Sequence, residues 1–415
     1  MTASSPPSPT TNPPAARAAV DAEQPLDEGQ FAALKAEVAA FVAGPGEQWA
    51  EQIEREGEVP DALWADLRER GYLSLAAPAE YGGRGLPFSR YLELVELFSM
   101  SHASLRMIVH VTNGIWRAMD QFATEEQRAR FVIPLVRGET RVAFTLTEPT
   151  AGTGADLRCS VTRDGDHYLL SGEKHLITFG VKCDYWLLFA RLAGTSGKEG
   201  TVALMVDRSA PGVTVESMPE TMGVRGTDHA HLVFREAPVP VANRLGEEGR
   251  GLEVALGGFL TPSRVSVGMT CVGLARRAQE LAVEHALHRT TFGKTLAQRQ
   301  AISFMIAENA ADIEAARQLV LHAAREWERG SGEDAAATSA LSSMCKLTAV
   351  DMLTRVTDKA LQIHGGIGYW SSSPIERVYR DARAQRFEEG TNEIQKTVIA
   401  REVLRRHSQQ QEVAR

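Results

Sequence analysis

The sequence predicts a mainly helical α+β fold: an N-terminal helical domain, a middle β-domain and a C-terminal four-helix bundle. Three observations predict it. In the first third, apolar residues recur at helical spacing, as at Phe31, Leu34, Val38 and Phe41, and residues three and four apart share one helix face. Between about 142 and 246 the texture changes to short apolar runs bounded by Gly, Asp, Asn or Pro, the mark of strands and turns. From about 252 the helical period returns, with Ile302, Ile306, Ile313 and Val320 on one stripe.

Taken in order, residues 1–27 hold Pro6, Pro7, Pro9, Pro13 and Pro14 among Ser, Thr and Ala. Such a composition buries no core and predicts a disordered arm. The helical domain is expected over 28–141. A Gly/Pro-rich break interrupts it at Pro78-Ala79-Glu80-Tyr81-Gly82-Gly83-Arg84-Gly85-Leu86-Pro87. One long apolar helix is expected from about Tyr91 to Met119, and another after Thr124. The β-domain, 142–246, has strand-like runs at Tyr185–Phe189, Val202–Val206 and His231–Phe234, with glycines such as Gly165, Gly172 and Gly212 marking turns. The bundle is expected over 247–408, with breakers at Gly330-Ser331-Gly332 and at Gly365–Gly368, and 409–415 is left as a tail. No internal repeat is visible.

Composition narrows the class of function. A chain of 415 residues has room for two or three domains. Its net charge of -8 speaks against non-specific binding to nucleic acid or an anionic membrane. No apolar run is long enough to span a bilayer. Cys159, Cys183, Cys271 and Cys345 lie far apart without metal-type spacing, so no metal site is expected and nothing indicates an oxidising compartment. The N-terminus shows no secretory pattern. A cytoplasmic protein is expected.

One stretch stands out: Phe387-Glu388-Glu389-Gly390-Thr391-Asn392-Glu393-Ile394-Gln395, after the glycine cluster Gln362-Ile363-His364-Gly365-Gly366-Ile367-Gly368-Tyr369. Gly390 costs a helix about 1 kcal/mol relative to Ala. In return it allows close backbone approach, and Glu389 would aim its carboxylate at whatever lies there. On its own the tripeptide also reads as a kink between surface helices.

An ordered series of motifs settles the context. Pro78 to Gly83 reads Pro-x-Glu-Tyr-Gly-Gly. Phe144-Thr145-Leu146-Thr147-Glu148-Pro149 follows, then Met222-Gly223-Val224-Arg225-Gly226-Thr227 and Leu245-Gly246-Glu247-Glu248-Gly249-Arg250-Gly251. Arg289-Thr290-Thr291-Phe292-Gly293-Lys294 with Gln300, the glycine cluster, and Glu389-Gly390-Thr391 complete it. In this order, over three hundred residues, the chain resembles the acyl-CoA dehydrogenase family. The resemblance implies that family's fold, bound FAD, and α,β-dehydrogenation of an acyl thioester carried on CoA or on an acyl-carrier protein. It implies electron-transfer flavoprotein or another acceptor as partner, and a homotetramer or at least a dimer.

Removing a proton beside a thioester needs a base in a site that excludes water. By resemblance that base is Glu389. Burial beside apolar groups strengthens any carboxylate as a base. The developing enolate needs donors, which in the family are the backbone N–H of the catalytic Glu and a flavin ribityl hydroxyl; Gly390 permits the approach. Phe144, Leu146, Thr147, Gly152, Thr153, Ile177 and Thr178 match flavin-facing positions. Arg289, Phe292 and Gln300, with Gln362, Ile363, His364, Gly365 and Gly366, match positions that reach the FAD of a neighbouring subunit. A guanidinium suits pyrophosphate, and the N–H groups of a glycine cluster suit phosphate. Thr391 and Glu393 match the last FAD contacts. Thr261 and Arg264 match the substrate end, where Arg264 orders Glu389 or the thioester.

The chain departs from the family pattern at three places. Gly152-Thr153-Gly154 stands for the usual Gly-Ser-Asp. Leu176 stands where the family has a Trp beside the flavin, near the docking site of its electron acceptor. A flavin-dependent oxidase or monooxygenase on the same fold is therefore an alternative; a second is a non-catalytic flavoprotein that binds nucleic acid, which the acidic charge disfavours. The third departure is Arg106, in the apolar run Leu105-Arg106-Met107-Ile108-Val109. Glutaryl-CoA dehydrogenases are similar in carrying arginine here, which implies a short acyl group with a distal anion. The competing reading pairs Arg106 with Glu388, which shortens the pocket; a buried arginine needs a partner either way.

Overall fold

The computed structural model describes residues 26–151, 154–330 and 334–413. Nearly all of the expected N-terminal arm, the breaker residues 331–332 and the expected flavin contacts Gly152 and Thr153 lie outside the described residues. Helix α1 (Glu28–Ala43) opens with a reciprocal cap: the Asp27 carboxylate accepts from the Gln30 N–H, and the Gln30 side chain accepts from the Asp27 N–H. Two N–H groups that a helix start leaves unpaired are thus satisfied. Helices α2 (Pro45–Glu56), α3 (Asp61–Glu69), α4 (Phe88–Phe98) and α5 (Ala103–Asp120) follow, then a short helical run over 125–136.

The single long helix expected from Tyr91 to Met119 is two helices. The chain breaks at 99–102, where Ser99 Oγ donates to the Val95 carbonyl at 2.6 Å. His102, in extended backbone, then caps α5 by accepting the Ser104 N–H at Nδ1, 3.1 Å away. Both helices are buried almost all round, so the apolar pattern runs through the break without marking it.

The middle of the chain forms an eight-stranded sheet, β1 (Val142–Thr145), β2 (Ser160–Asp164), β3 (His167–Thr178), β4 (Tyr185–Leu192), β5 (Thr201–Asp207), β6 (Val213–Ser217), β7 (His229–Pro240) and β8 (Arg244–Leu245). The order is β6-β7-β3-β2-β4-β5-β8, with β1 added beside β4 in parallel. Its own core gathers Tyr168, Trp186, Leu188, Leu204 and Phe234.

The last third contains α6 (Thr261–His288), α7 (Gln300–Glu328), α8 (Ala335–His364), α9 (Pro374–Ala384) and α10 (Asn392–Val413). Helix α10 runs on through most of the segment expected as a tail. The chain enters α6 through a π-helical stretch, Val254–Leu260. Pro262, which has no N–H to give, stands at its exit. Helices α4 and α5 share one core with α6, α7 and α8, including Leu94, Ile108, Val265, Met269, Val320 and Val356. The first and last helical segments are therefore one packed body, and α5, α6, α8 and the α9–α10 turn converge within it. No described helix is long and apolar enough to cross a membrane.

A buried ion pair joins the exit of β1 to β3. Lys174 Nζ donates to the Leu146 carbonyl and to Glu148 Oε1, both at 2.9 Å. Glu148 also accepts the N–H groups of Arg158 and Cys159 at 2.7 and 3.0 Å. Both side chains are buried. Lys174→Met should strand the carboxylate and destabilise the protein by about 3–5 kcal/mol, the usual penalty for breaking a buried pair. Urea unfolding measures this; an unchanged midpoint would show that the pair carries no such weight.

Candidate active site

Glu389 lies in the turn between α9 and α10, on left-handed backbone with φ +53°, and Gly390 follows at φ +94°. For glutamate that conformation costs of order 1–3 kcal/mol and persists only where its surroundings enforce it. Here three helices enforce it. The Glu389 carbonyl accepts from Arg264 Nε of α6 at 3.3 Å and from Gln395 Nε2 of α10 at 3.0 Å. The Gly390 carbonyl accepts from Gln395 Nε2 at 3.0 Å and from Lys346 Nζ of α8. Burial pulls the Arg264 guanidinium and the Lys346 ammonium below their ordinary values, and the Glu389 carboxylate works against that pull on both.

The carboxylate itself is held from the opposite side. Ser263 Oγ donates to Glu389 Oε1 at 2.7 Å. His110 of α5 places Nε2 2.8 Å from Ser263 Oγ and 3.7 Å from Glu389 Oε1. Glu389 keeps 14% of its side-chain surface exposed, so the group is shielded but reachable.

Beside it, Glu388 takes Arg106. Arg106 Nη2 stands 3.1 Å from both carboxylate oxygens of Glu388, and Gln385 Nε2 donates to Oε1 at 3.0 Å. Arg106 is 1% exposed; its Nε is buried without a partner among the described residues. Of the two sequence readings of Arg106, the geometry favours the pair with Glu388: the charge is already matched inside the protein.

The expected flavin residues fall into two sets. In the first, the β1 exit and the end of β3 lie side by side: the His175 N–H donates to the Thr147 carbonyl at 2.9 Å. Leu146 and Ile177 are buried in the surrounding cores, while Phe144, Thr147 and Thr178 are half-buried. Leu176 is 54% exposed at φ +58°. Two hydroxyls, main-chain edges and an uncovered apolar side chain together fit a flavin, whose ring has polar edges and an apolar face. In the second set, Arg289 closes α6 through its N–H to the His285 carbonyl at 2.8 Å. Phe292, at φ +50°, is 98% exposed. Gln300, Gln362, Gly365 and Gly366 are exposed, Ile363 points into the core, and His364 stacks on His285 at 4.5 Å between ring centres. From Arg264 to His288 an α-helix rises about 36 Å, so the second set stands far from Glu389. Thr261 starts α6, half-buried; Thr391 is half-buried and Glu393 exposed at the start of α10.

Sequence reasoning gave no role to His110, Ser263, Lys346, Gln385 or Gln395. A signal existed for His110: it lies four residues after Arg106 in the same apolar run, hence on the same helix face.

Models of the acyl-CoA dehydrogenase N-terminal, middle and C-terminal domains match residues 30–139, 143–237 and 249–404. The chain is 35% identical to an acyl-CoA dehydrogenase of Bacillus subtilis (strain 168) over 359 residues, which cover 86% of this chain and 93% of the relative. It is 35% identical to an acryloyl-CoA reductase (NADH) of Anaerotignum propionicum over 360 residues, 86% of this chain and 90% of that one. Its fold matches the butyryl-CoA dehydrogenase of Megasphaera elsdenii with a TM-score of 0.85 at 32% identity, covering 91% and 99% of the two chains. The chain belongs to the acyl-CoA dehydrogenase family, flavin-dependent oxidoreductases that act on CH–CH bonds.

The Arg106–Glu388 pair makes a prediction of its own. Arg106→Met should cost up to about 3 kcal/mol, because Glu388, with 15% of its side chain exposed, is left uncompensated. Adding Glu388→Gln should return most of the loss, since the stranded charge is gone. Thermal unfolding of the two variants checks this; a double variant no better than Arg106→Met would place the cost elsewhere.

Proposed function

We propose that the chain is an FAD-dependent acyl-CoA dehydrogenase that introduces an α,β double bond into a short acyl thioester with an uncharged tail. The observation that carries this reading is the Glu389 carboxylate, held by Ser263 in a shielded turn that Arg264, Lys346 and Gln395 lock. Relatives named for butyryl-CoA and acryloyl-CoA support a short acyl group. The matched charge of Arg106 supports an uncharged one.

Glu389 takes the proton from the carbon next to the thioester. Its backbone N–H, fixed by the locked turn, serves the thioester oxygen as charge develops there. Ser263 keeps the carboxylate aimed, and the buried walls of α5 and α6 exclude water. Bound FAD supplies the hydride acceptor. Phe144, Leu146, Thr147, Gly152, Thr153, Ile177 and Thr178 hold it in one subunit, with Thr391 and Glu393. Arg289, Phe292, Gln300 and the segment Gln362 to Gly366 hold the FAD of a neighbour, because the length of α6 keeps them from the site of their own chain. The working form is accordingly a homotetramer, or a dimer, in the cytoplasm, passing electrons to an electron-transfer flavoprotein.

Anaerobic flavin bleaching tests this. Butyryl-CoA should reduce the flavin of the wild type, and glutaryl-CoA should do so poorly. Glu389→Gln should keep its flavin and lose at least about 10²-fold in reduction rate, the lower range for removing a general base; Glu388→Gln should lose much less. A larger loss in Glu388→Gln would move the base to that residue.

Arg289→Ala should lower FAD affinity and loosen the oligomer together. Sedimentation with flavin absorbance follows both; full FAD and an intact oligomer would put Arg289 outside any shared site.

One observation favours a second reading. Leu176, half exposed where the family carries a Trp, leaves room for oxygen as acceptor. Oxygen consumption as fast as dye reduction would make the chain an oxidase.

A further inference from the structure

A serine hydroxyl has a single proton. Ser263 gives that proton to Glu389 Oε1 at 2.7 Å. At the 2.8 Å contact with His110 Nε2 the Ser263 oxygen is therefore the acceptor, and His110 is the donor. The other ring nitrogen, Nδ1, is buried with no partner among the described residues. A neutral ring protonated at Nε2 leaves only a lone pair there, whereas a proton on Nδ1 would be a stranded donor. The chain thus has one direction, from His110 Nε2–H to Ser263 Oγ–H to Glu389 Oε1. His110 and Ser263 are both buried, at 3% and 4% exposure, so water does not replace either link.

We infer that His110 is a positioning residue for the Glu389 base, acting through Ser263: it fixes the hydroxyl that pins one carboxylate oxygen, leaving the other for the substrate proton. The inference rests on the proposed role of Glu389. Hydrogen bonds donated to an ionised carboxylate favour the ionised form. Removing the donor therefore lets Glu389 hold its proton to higher pH. Arg264 from α6 and Lys346 from α8 hold the carbonyls of the same turn and feel this carboxylate's charge, and the Arg106–Glu388 pair is built on the preceding residue. Changes at His110 and Ser263 leave all of them in place, so a change in pH profile reports on the relay.

The test is the rate of anaerobic flavin reduction by butyryl-CoA as a function of pH. Ser263→Ala and His110→Phe should each move the acid limb of the profile up by about one unit, the scale of one charge-assisted hydrogen bond, so that the rate falls about ten-fold at pH values on that limb. The rate should recover at high pH. His110→Gln, whose amide can still donate to Ser263, should restore most of the wild-type profile. The double variant should match Ser263→Ala alone, because His110 works only through the serine. Ser263→Ala deletes one atom, so it decides the matter even if His110→Phe does not fold. A working wild type whose acid limb is unmoved in Ser263→Ala overturns the inference alone, as does a double variant with multiplied losses. A wild type that no acyl-CoA bleaches overturns the proposed function and the inference with it.

Discussion

The turn at Glu389 and Gly390 depends on side chains that come from every helix around it. Two consecutive left-handed residues would relax if their carbonyls faced solvent. Instead Arg264, Gln395 and Lys346 hold those carbonyls from α6, α10 and α8. Each of these donors is itself buried or half-buried in the helical core, so its position is set by packing rather than by the turn. The strain of one glutamate is thus borne by the core of the whole helical body. This is why α4 and α5 must share a core with the C-terminal helices: α5 brings His110 and Arg106 to the same place, and a loose interface would blur both.

Helix α6 sets the scale of the molecule. Its first turn carries Ser263 and Arg264 at the carboxylate, and its end carries Arg289. Helix α8 repeats the arrangement, with Lys346 at the turn and His364 stacked on His285 beyond it. Long rigid helices hold their ends at fixed separation, so the two sets of residues at the ends of α6 stay well apart in one chain.

The order of helical, β and helical segments was legible because it rests on local signals, and the stretch around Glu389 stood out for the same reason. Helical periodicity, glycine-bounded strands and the Glu389-Gly390-Thr391 tripeptide all lie within short windows. What stayed hidden was geometry between distant segments. The break at 99–102 is invisible because burial on all sides keeps the apolar pattern unbroken across it. The alternatives for Arg106 could be named but not ranked, since the choice depends on Glu388 arriving from 282 positions away. Lys346 gave no signal at all: a lysine in an alanine- and leucine-rich helix reads as a surface residue until the Gly390 carbonyl is placed against it.

The charges around the turn have a consequence for the proposed chemistry. Arg106 is matched by Glu388, while Arg264 and Lys346 meet the turn through its carbonyls rather than through a carboxylate of their own. Among the described residues neither cation forms an ion pair of its own, and the Glu389 carboxylate acts on both. In a poorly solvated site, losing that negative charge would leave them less well balanced. In the proposed reaction, a proton passing from the substrate to Glu389 would move the negative charge to the thioester oxygen a few atoms away, within the field of the same cations. The site then exchanges the place of a charge without changing its sum, which is the electrostatic condition for an easy proton transfer in low dielectric. An acyl group with its own distal carboxylate would add a charge that Arg106, already paired, cannot meet.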